Sequence, residues 1–300
     1  MNDQENEELK LQSKLWWSAH SQDYVNPGEQ DHLGAPIGLS DESLLSYLDY
    51  IDNNFAADGY FAQNRGESLF SGLLPKYVRN KEVLEVGCGL GGHSEQLSKR
   101  GANLSAIDLA PMSVAFTKRR LKIKKLQATV LEADCESLPF PDNYFDYVWS
   151  WGVIHHSPNT KECAKEINRV LKPGGELRIM LYHQNSLYWF VNVFLRYGVL
   201  QGKLLSHSFQ DLKNRYTDGK KEKGAPLSKY YTSKDIKNLL FPTFEFSEIT
   251  CFEQKHAVTF WLPTKYQRSA QEVIPDRFYS WLWKRLGFLL FCVGTKVRND

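Results

Sequence analysis

Three carboxylates, Glu85, Asp108 and Asp134, stand at or just beyond the ends of three successive apolar runs, and a cluster of glycines follows the first of them in EVLEVGCGLGGHSEQLSKRG (82–101). Gly87, Gly89 and Gly92 satisfy the G-x-G-x-x-G pattern of a dinucleotide-binding turn, whereas Gly87, Gly89 and Gly91 give a tighter alternation suited to another cofactor. Glu85 weighs against phosphate. In a dinucleotide fold that position is an apolar strand residue, because backbone N–H groups and a helix N-terminus meet the phosphates. A carboxylate there suits a ligand bearing an ammonium group and a positive sulfur. Asp108 ends the second run, where a carboxylate can accept hydrogen bonds from two vicinal ribose hydroxyls. Asp134, in EADCESLPF, can accept from an exocyclic amine such as adenine N6, with Leu138 and Phe140 beside it. Each acid also has a purely structural reading: a strand-end partner of Lys81, an N-cap for a helix near Pro111, and a turn-forming Asp.

A second group of reactive residues is WGVIHHS, with His155 and His156 after the fourth apolar run. Histidine has an unperturbed pKa of about 6.5 and is a natural base for a hydroxyl or amine. Aromatic residues gather on two stretches, Trp16, Trp17 and Tyr24 before the glycine motif and Tyr182, Tyr188, Trp189, Phe190, Phe194, Tyr230 and Tyr231 after it. Such residues can cage a planar or lipid-like molecule or a cation, or pack under a cap. Arg65 could meet a ligand carboxylate or lie in solvent. KRRLKIKK (118–125) ends a helical pattern, where cations oppose the macrodipole, and reads as a solvated face.

These groups need elements to hold them. From Lys81 onward short apolar runs alternate with amphipathic stretches of helical length, the signature of βαβ units and a parallel sheet with helices on both faces. Right-handed crossovers then put the ligand at the carboxyl ends of the strands. The expected organisation is an N-terminal helical prefix (1–80) of three helical pieces, a core (81–182), a helical lid insertion (183–231), and the rest of the core sheet (232–300).

Taken together, VLEVGCGLGGHSEQL, AIDLAPMSVAFTKRR, ADCESLPFPDNYFDYVWSWGVIHHSPN and EINRVLKPGGELRIMLY resemble the class I S-adenosylmethionine-dependent methyltransferases over about Val83 to Tyr182. The resemblance implies an α/β Rossmann-like fold, a seven-stranded, mostly parallel sheet with the last strand antiparallel, and S-adenosyl-L-methionine as cofactor. It implies that Glu85, Gly87, Gly89 and Gly91 line the methionine part and that Asp108 holds the ribose. Asp134 and Cys135 would meet the adenine edge, and Trp151 would lie beside the methionine moiety. A related branch that methylates quinone precursors uses a metal held by acids in the histidine loop; here Gly152 and His155 replace those acids, so no metal is expected.

The expected reaction is methyl transfer to a small or medium-sized acceptor, with oxygen favoured and His155 or His156 as the base. An apolar or aromatic acceptor is admitted. Two alternatives stay open, an NAD(P)-dependent oxidoreductase using the glycine turn and a non-catalytic S-adenosylmethionine-binding accessory protein. The composition is that of a globular chain of 300 residues with net charge +2, which speaks against a nucleic-acid partner, as does the lack of Asn-Pro-Pro-Tyr and Pro-Cys motifs. Five scattered cysteines without a C-x-x-C pair and a polar, acidic start suggest a reducing, cytoplasmic setting. SLYWFVNVFLRYGVL (186–200) is too short and too interrupted to span a bilayer, so stable membrane insertion is not expected. The pattern is silent on oligomeric state.

Overall fold

The computed structural model describes residues 3–20, 40–57, 73–218, 224–252, 273 and 275–297. Helices α1 (Asp3–His20) and α2 (Asp41–Ala57) come first. The core follows as β1 (Glu82–Val86), α3 (Gly92–Lys99), β2 (Asn103–Asp108), α4 (Pro111–Ile123), β3 (Thr129–Glu132), β4 (Phe145–Trp151), α5 (Thr160–Val170) and β5 (Leu171–His183). Then come a π-helix, α6 (Tyr188–Leu200), α7 (Phe209–Tyr216), the two-residue β6 (Tyr230–Tyr231), α8 (Ser233–Asp235, continued as a π-helix over Ile236–Leu240), β7 (Phe244–Phe252), α9 (Asp276–Leu286) and β8 (Leu289–Lys296).

The main path of the sheet runs β3-β2-β1-β4-β5-β8-β7, with β6 paired to β5 off that path. Strands β1 to β5 are parallel, and β8, the last in the chain, lies antiparallel between β5 and β7. The expected seven-stranded topology is therefore present, with β6 added. Strand β1 is buried on both faces, as helix-covered parallel strands are. Its alternation sends Leu84 and Val86 into one apolar cluster with Ile107, Val148 and Ile167, and Val83 into another with Leu97, Ala106 and Trp149. Glu85 shares the second face and is the one charged residue of the strand interior. Helix α5 starts where the Asn159 side chain accepts from the Glu162 N–H at 3.4 Å. Its Cys163, Ala164, Ile167 and Val170 face the core. Lys172 to Gly175 then loop out between Leu171, opposite Phe145, and Glu176, opposite Tyr147.

Helix α2 packs Leu44, Tyr47 and Leu48 on Phe116 of α4, and Arg119–Asp41 (2.8 Å) and Lys124–Asp49 (3.1 Å) close the rim. KRRLKIKK is thus not uniformly solvated: Arg120, in its middle, is 1% exposed and pairs with buried Glu95 at 2.7 Å. The expected third prefix helix is not seen where it can be judged. Residues 73–78 are irregular, while 67–72, Tyr24 and Arg65 lie outside the described residues. No helix among the described residues is long and apolar enough to cross a membrane.

The candidate active site

The glycine turn after β1 is built by backbone. The N–H groups of Gly87 and Cys88 both donate to the Ile107 carbonyl, at 2.8 and 2.9 Å, which draws the loop across the end of β2. Gly87 has φ +83°, and a Cβ there would stand 2.1 Å from Val153 Cγ2. Gly89 has φ +50°, but a Cβ on it would meet nothing within 4 Å, because that side faces open space. Gly91 serves α3 instead: it is the left-handed N-cap and faces Thr117 and Arg120 of α4.

That open space is a cavity of about 320 Å³ at the carboxyl ends of β1 to β5. Gly87, Gly89, Asp108, Asp134, Cys135, Trp151 and His156 line it; Glu85, Gly91 and His155 do not. Asp108 accepts from the N–H groups of Gly89 and Ala110, both at 2.9 Å. Burial nevertheless holds its carboxyl above the usual range, against those backbone N–H groups and that of Leu109. Asp134 accepts from the Glu136 N–H at 2.8 Å and from Lys10 of α1 at 3.0 Å, and Lys10 also reaches Glu136 at 2.7 Å. Cys135 Sγ stands 2.9 Å from Cys163 Sγ, a contact that, with burial, pushes the Cys135 thiol up.

Glu85 lies behind the wall. The Ser94 hydroxyl donates to one carboxyl oxygen, and the other is 3.8 Å from His93 Nδ1. Burial is the largest influence and pushes Glu85 up to about 8, despite the Ser94 bond. Burial, with the Arg120 charge second, takes His93 down to about 3. At neutral pH the pair is therefore mostly uncharged, which reconciles a buried glutamate with its surroundings.

At the far end of the cavity, beyond Trp151, His156 stands among Trp17 of α1 (ring centroids 4.9 Å apart), His155 (4.2 Å) and Tyr182 of β5 (5.7 Å). Its Nδ1 is 2.7 Å from the Leu227 carbonyl, which can only accept, so Nδ1 carries the proton and neutral His156 keeps its lone pair on Nε2. His155 is fully buried, and burial, then His156, drives its pKa well below the ordinary value. The aromatic residues flagged from sequence divide accordingly. Trp17 and Tyr182 reach the cavity, whereas Trp189 packs on Tyr230 and Phe190 is exposed.

Residues 84–179 match the family described as "Methyltransferase domain". Over these residues, about a third of its length, the chain is similar to a methyltransferase domain. The chain is 41% identical over 107 residues to 2-methyl-6-phytyl-1,4-hydroquinone methyltransferase of Synechocystis sp., covering 35% of this chain and 33% of that protein. It is 38% identical over 126 residues to the chloroplastic tocopherol O-methyltransferase of Arabidopsis thaliana, covering 40% and 36%. The chain thus spans about a third of the length of these curated relatives. A solved S-adenosylmethionine-dependent methyltransferase from Methanosarcina mazei shares the fold, with TM-score 0.52 at 18% identity, over 75% of this chain and 95% of that one.

S-adenosylmethionine is the cofactor that such a domain implies, and the wall fits it: an open-sided Gly89 and carboxylates at or just beyond the ends of β2 and β3. Sequence reasoning missed Lys10, Glu136 and the inward turn of Arg120. Glu136 could have been found from its place two residues after Asp134. The others depend on contacts between remote segments.

Proposed function

We propose that this protein transfers a methyl group from S-adenosylmethionine to a hydroxyl of a small or medium-sized lipophilic acceptor. The observation that carries the reading is the single cavity, with nucleoside-type carboxylates Asp108 and Asp134 at one end and His156 with Tyr182 at the other. Tocopherol O-methyltransferase and the phytyl-hydroquinone enzyme are named for apolar acceptors, which favours a lipophilic one here. Bound S-adenosylmethionine supplies an electrophilic methyl and leaves as a neutral thioether.

In this reading Gly87, Gly89 and Trp151 face the methionine end, Asp108 the ribose, and Asp134 with Cys135 the adenine edge. Glu85 stands behind the wall, mostly uncharged, and supports the turn through its contact with Ser94. His156 is the base, its lone pair held on Nε2 by the Leu227 carbonyl; His155, off the wall, supports it by packing. Trp17 and Tyr182 exclude water from the acceptor.

The test incubates the protein with methyl-labelled S-adenosylmethionine and either γ-tocopherol or a total lipid extract, followed by mass spectrometry. A product heavier by one methyl on oxygen is expected, and His156→Gln should lower turnover by about 10²–10⁴-fold while keeping cofactor affinity. Transfer to carbon, or no transfer by a protein that binds the cofactor, would reject the reading.

A further inference from the structure

Helix α6 and the turn after it are apolar on the side turned away from the protein as well as on the side turned in. A π-helix bonds residue i to i+5, so positions five apart stand above one another. Val193 and Gly198 are buried on the inner side, where a Cβ on Gly198 would stand 3.3 Å from Leu212 Cδ1 of α7. Phe190, Leu195 and Leu200 follow the same interval on the outer side and are all exposed, Leu200 to 75%. Val199, Leu205 (94% exposed) and Phe209 extend this face. The rings of Phe190, Phe194 and Phe209 follow one another with centroids 5.6 and 6.0 Å apart, so the face is continuous from α6 to the start of α7. A helix apolar all round is ordinarily covered on every side.

The charges on this face are of one sign. From Ser186 to Gln210 the chain carries Arg196 and Lys203 and neither Asp nor Glu. Arg196 is exposed, its guanidinium 5.3 Å from the Tyr197 ring centroid. The next acid, Asp211, is turned onto the N–H and hydroxyl of Ser208 in the capping box of α7. A second helix of the same character starts from this corner. On α9, Phe278 and Trp281 are exposed beside Arg277, Lys284 and Arg285, and the Arg285 guanidinium lies 5.3 Å from the Trp281 ring centroid. Helix α9 leads into β8 where Leu289 pairs with Tyr182, and Phe288 touches the rings of Tyr182 and Tyr188, at 4.5 and 4.9 Å between centroids. Both helices are thus rooted where β5 ends, at the end of the sheet that holds the cavity, and Tyr182 is part of the cavity wall.

We propose that the outer face of α6, from Phe190 to Phe209, lies on the surface of an anionic lipid bilayer, with its apolar side chains at the headgroup–acyl boundary and Arg196 and Lys203 at the phosphates. An apolar face that carries Lys and Arg and no acid has the composition that binds such a surface. A second copy of this chain is a poor occupant. A two-fold contact would set the cations of one copy against those of the other, with no acid on the face to pair them. The helix lies in the plane of the bilayer, since its 13 residues are too few to cross it. Docking of this kind brings the end of the sheet that holds the cavity to the phase in which a lipophilic molecule dissolves. Binding to a vesicle requires neither cofactor nor turnover, so it stands apart from the methyl-transfer reading.

The test is co-sedimentation of the full chain with vesicles of phosphatidylcholine alone, or of phosphatidylcholine and phosphatidylglycerol at about 7:3, in low salt and in about 0.5 M salt. The wild type should bind the anionic vesicles, and less so in high salt, where the charges are screened. Leu200→Asn combined with Leu205→Asn should lower the partition constant about tenfold or more, the scale of burying one such side chain. Both leucines are exposed, so this variant should melt with the wild type. Arg196→Gln combined with Lys203→Gln should weaken binding to anionic vesicles about fivefold per charge and change binding to neutral ones little. Salt dependence and this second variant give a result that does not rest on the folding of the first. A wild type left in the supernatant by anionic vesicles, or a partition constant unchanged by the leucine substitutions, would overturn the proposal. So would a wild-type dimer, seen by light scattering, that the leucine substitutions split, because the face would then belong to a second copy.

Discussion

At the scale of single residues the most unusual group is Glu85, a carboxylate in the interior of a central strand. Its ordinary value of 4.5 is pushed up to about 8, chiefly by burial, with Asp108 raising it further and Ser94 and Arg120 opposing. Below 4.5 the group is neutral in folded and unfolded chains alike and favours neither. Between 4.5 and 8 the unfolded chain gives up the proton and the folded chain keeps it, so folding stability falls as pH rises through this window. His93, held neutral down to about 3, contributes the opposite slope from 3 to its ordinary 6.5. The useful quantity is therefore the difference between two proteins. Urea unfolding of wild type and Glu85→Gln across that range should show the variant gaining on the wild type by about 1.4 kcal/mol per pH unit at most. Parallel pH profiles would mean that Glu85 is ionised in the folded chain. The position of Glu85 is plain in the sequence, but its protonation is not, because that depends on burial and on Ser94, Asp108 and Arg120 arriving from other elements.

Among the elements, the glycine turn was legible as a turn and illegible in its division of labour. Spacing treats Gly87, Gly89 and Gly91 alike, whereas the structure gives each a separate duty. Gly87 is closed by Val153, Gly89 opens on the cavity, and Gly91 caps α3. Gly87→Ala adds a clash at 2.1 Å to a positive φ, so it should destabilise the fold by about 3 kcal/mol or more. Gly89→Ala adds only the strain of its backbone, about 1–2 kcal/mol, but puts a methyl into the cofactor's space. Denaturant melts should separate the two, and calorimetry with S-adenosylmethionine should show the larger affinity loss per unit of stability for Gly89→Ala. Equal stability losses would contradict the assignment. The alternation of strands and helices was legible for a related reason, since period-2 and period-3.6 patterns are local. The end of the expected helix, residues 73–78, was not: its apolar spacing fits a helix, yet Leu73, Leu74 and Val78 are buried in the core from an irregular segment. Tertiary burial accounts for the same residues without the helix. Arg120 was misread for want of its partner, Glu95, 25 positions away.

At the scale of the whole molecule the cavity is assembled from parts that no local pattern connects: Lys10 and Trp17 from the prefix and the five strand ends of the core. Helix α1 is the roof. Lys10 bridges Asp134 and Glu136, Lys14 pairs with Glu132, and Trp17 lies on His156. These contacts hold the ammonium of Lys10 protonated, hydrogen bonds to Glu136 and Asp134 outweighing the burial that acts against it. They also neutralise two neighbouring carboxylates where an adenine edge would sit. Removing residues 1–20 takes away this roof while leaving every described sheet pairing intact, since Asp3–His20 is a helix and belongs to no strand. The truncated chain should therefore keep its far-ultraviolet circular dichroism per residue of core, and bind S-adenosylmethionine with a similar association rate. Its dissociation rate should rise by about tenfold or more, because a ligand under a closed roof leaves only when the roof opens. Lys10→Met, which retains the helix and removes the bridge, should give an intermediate rate. Stopped-flow displacement by excess S-adenosylhomocysteine, read by tryptophan fluorescence, measures both rates. A dissociation rate unchanged by truncation would mean that α1 covers the cavity without retaining what lies in it.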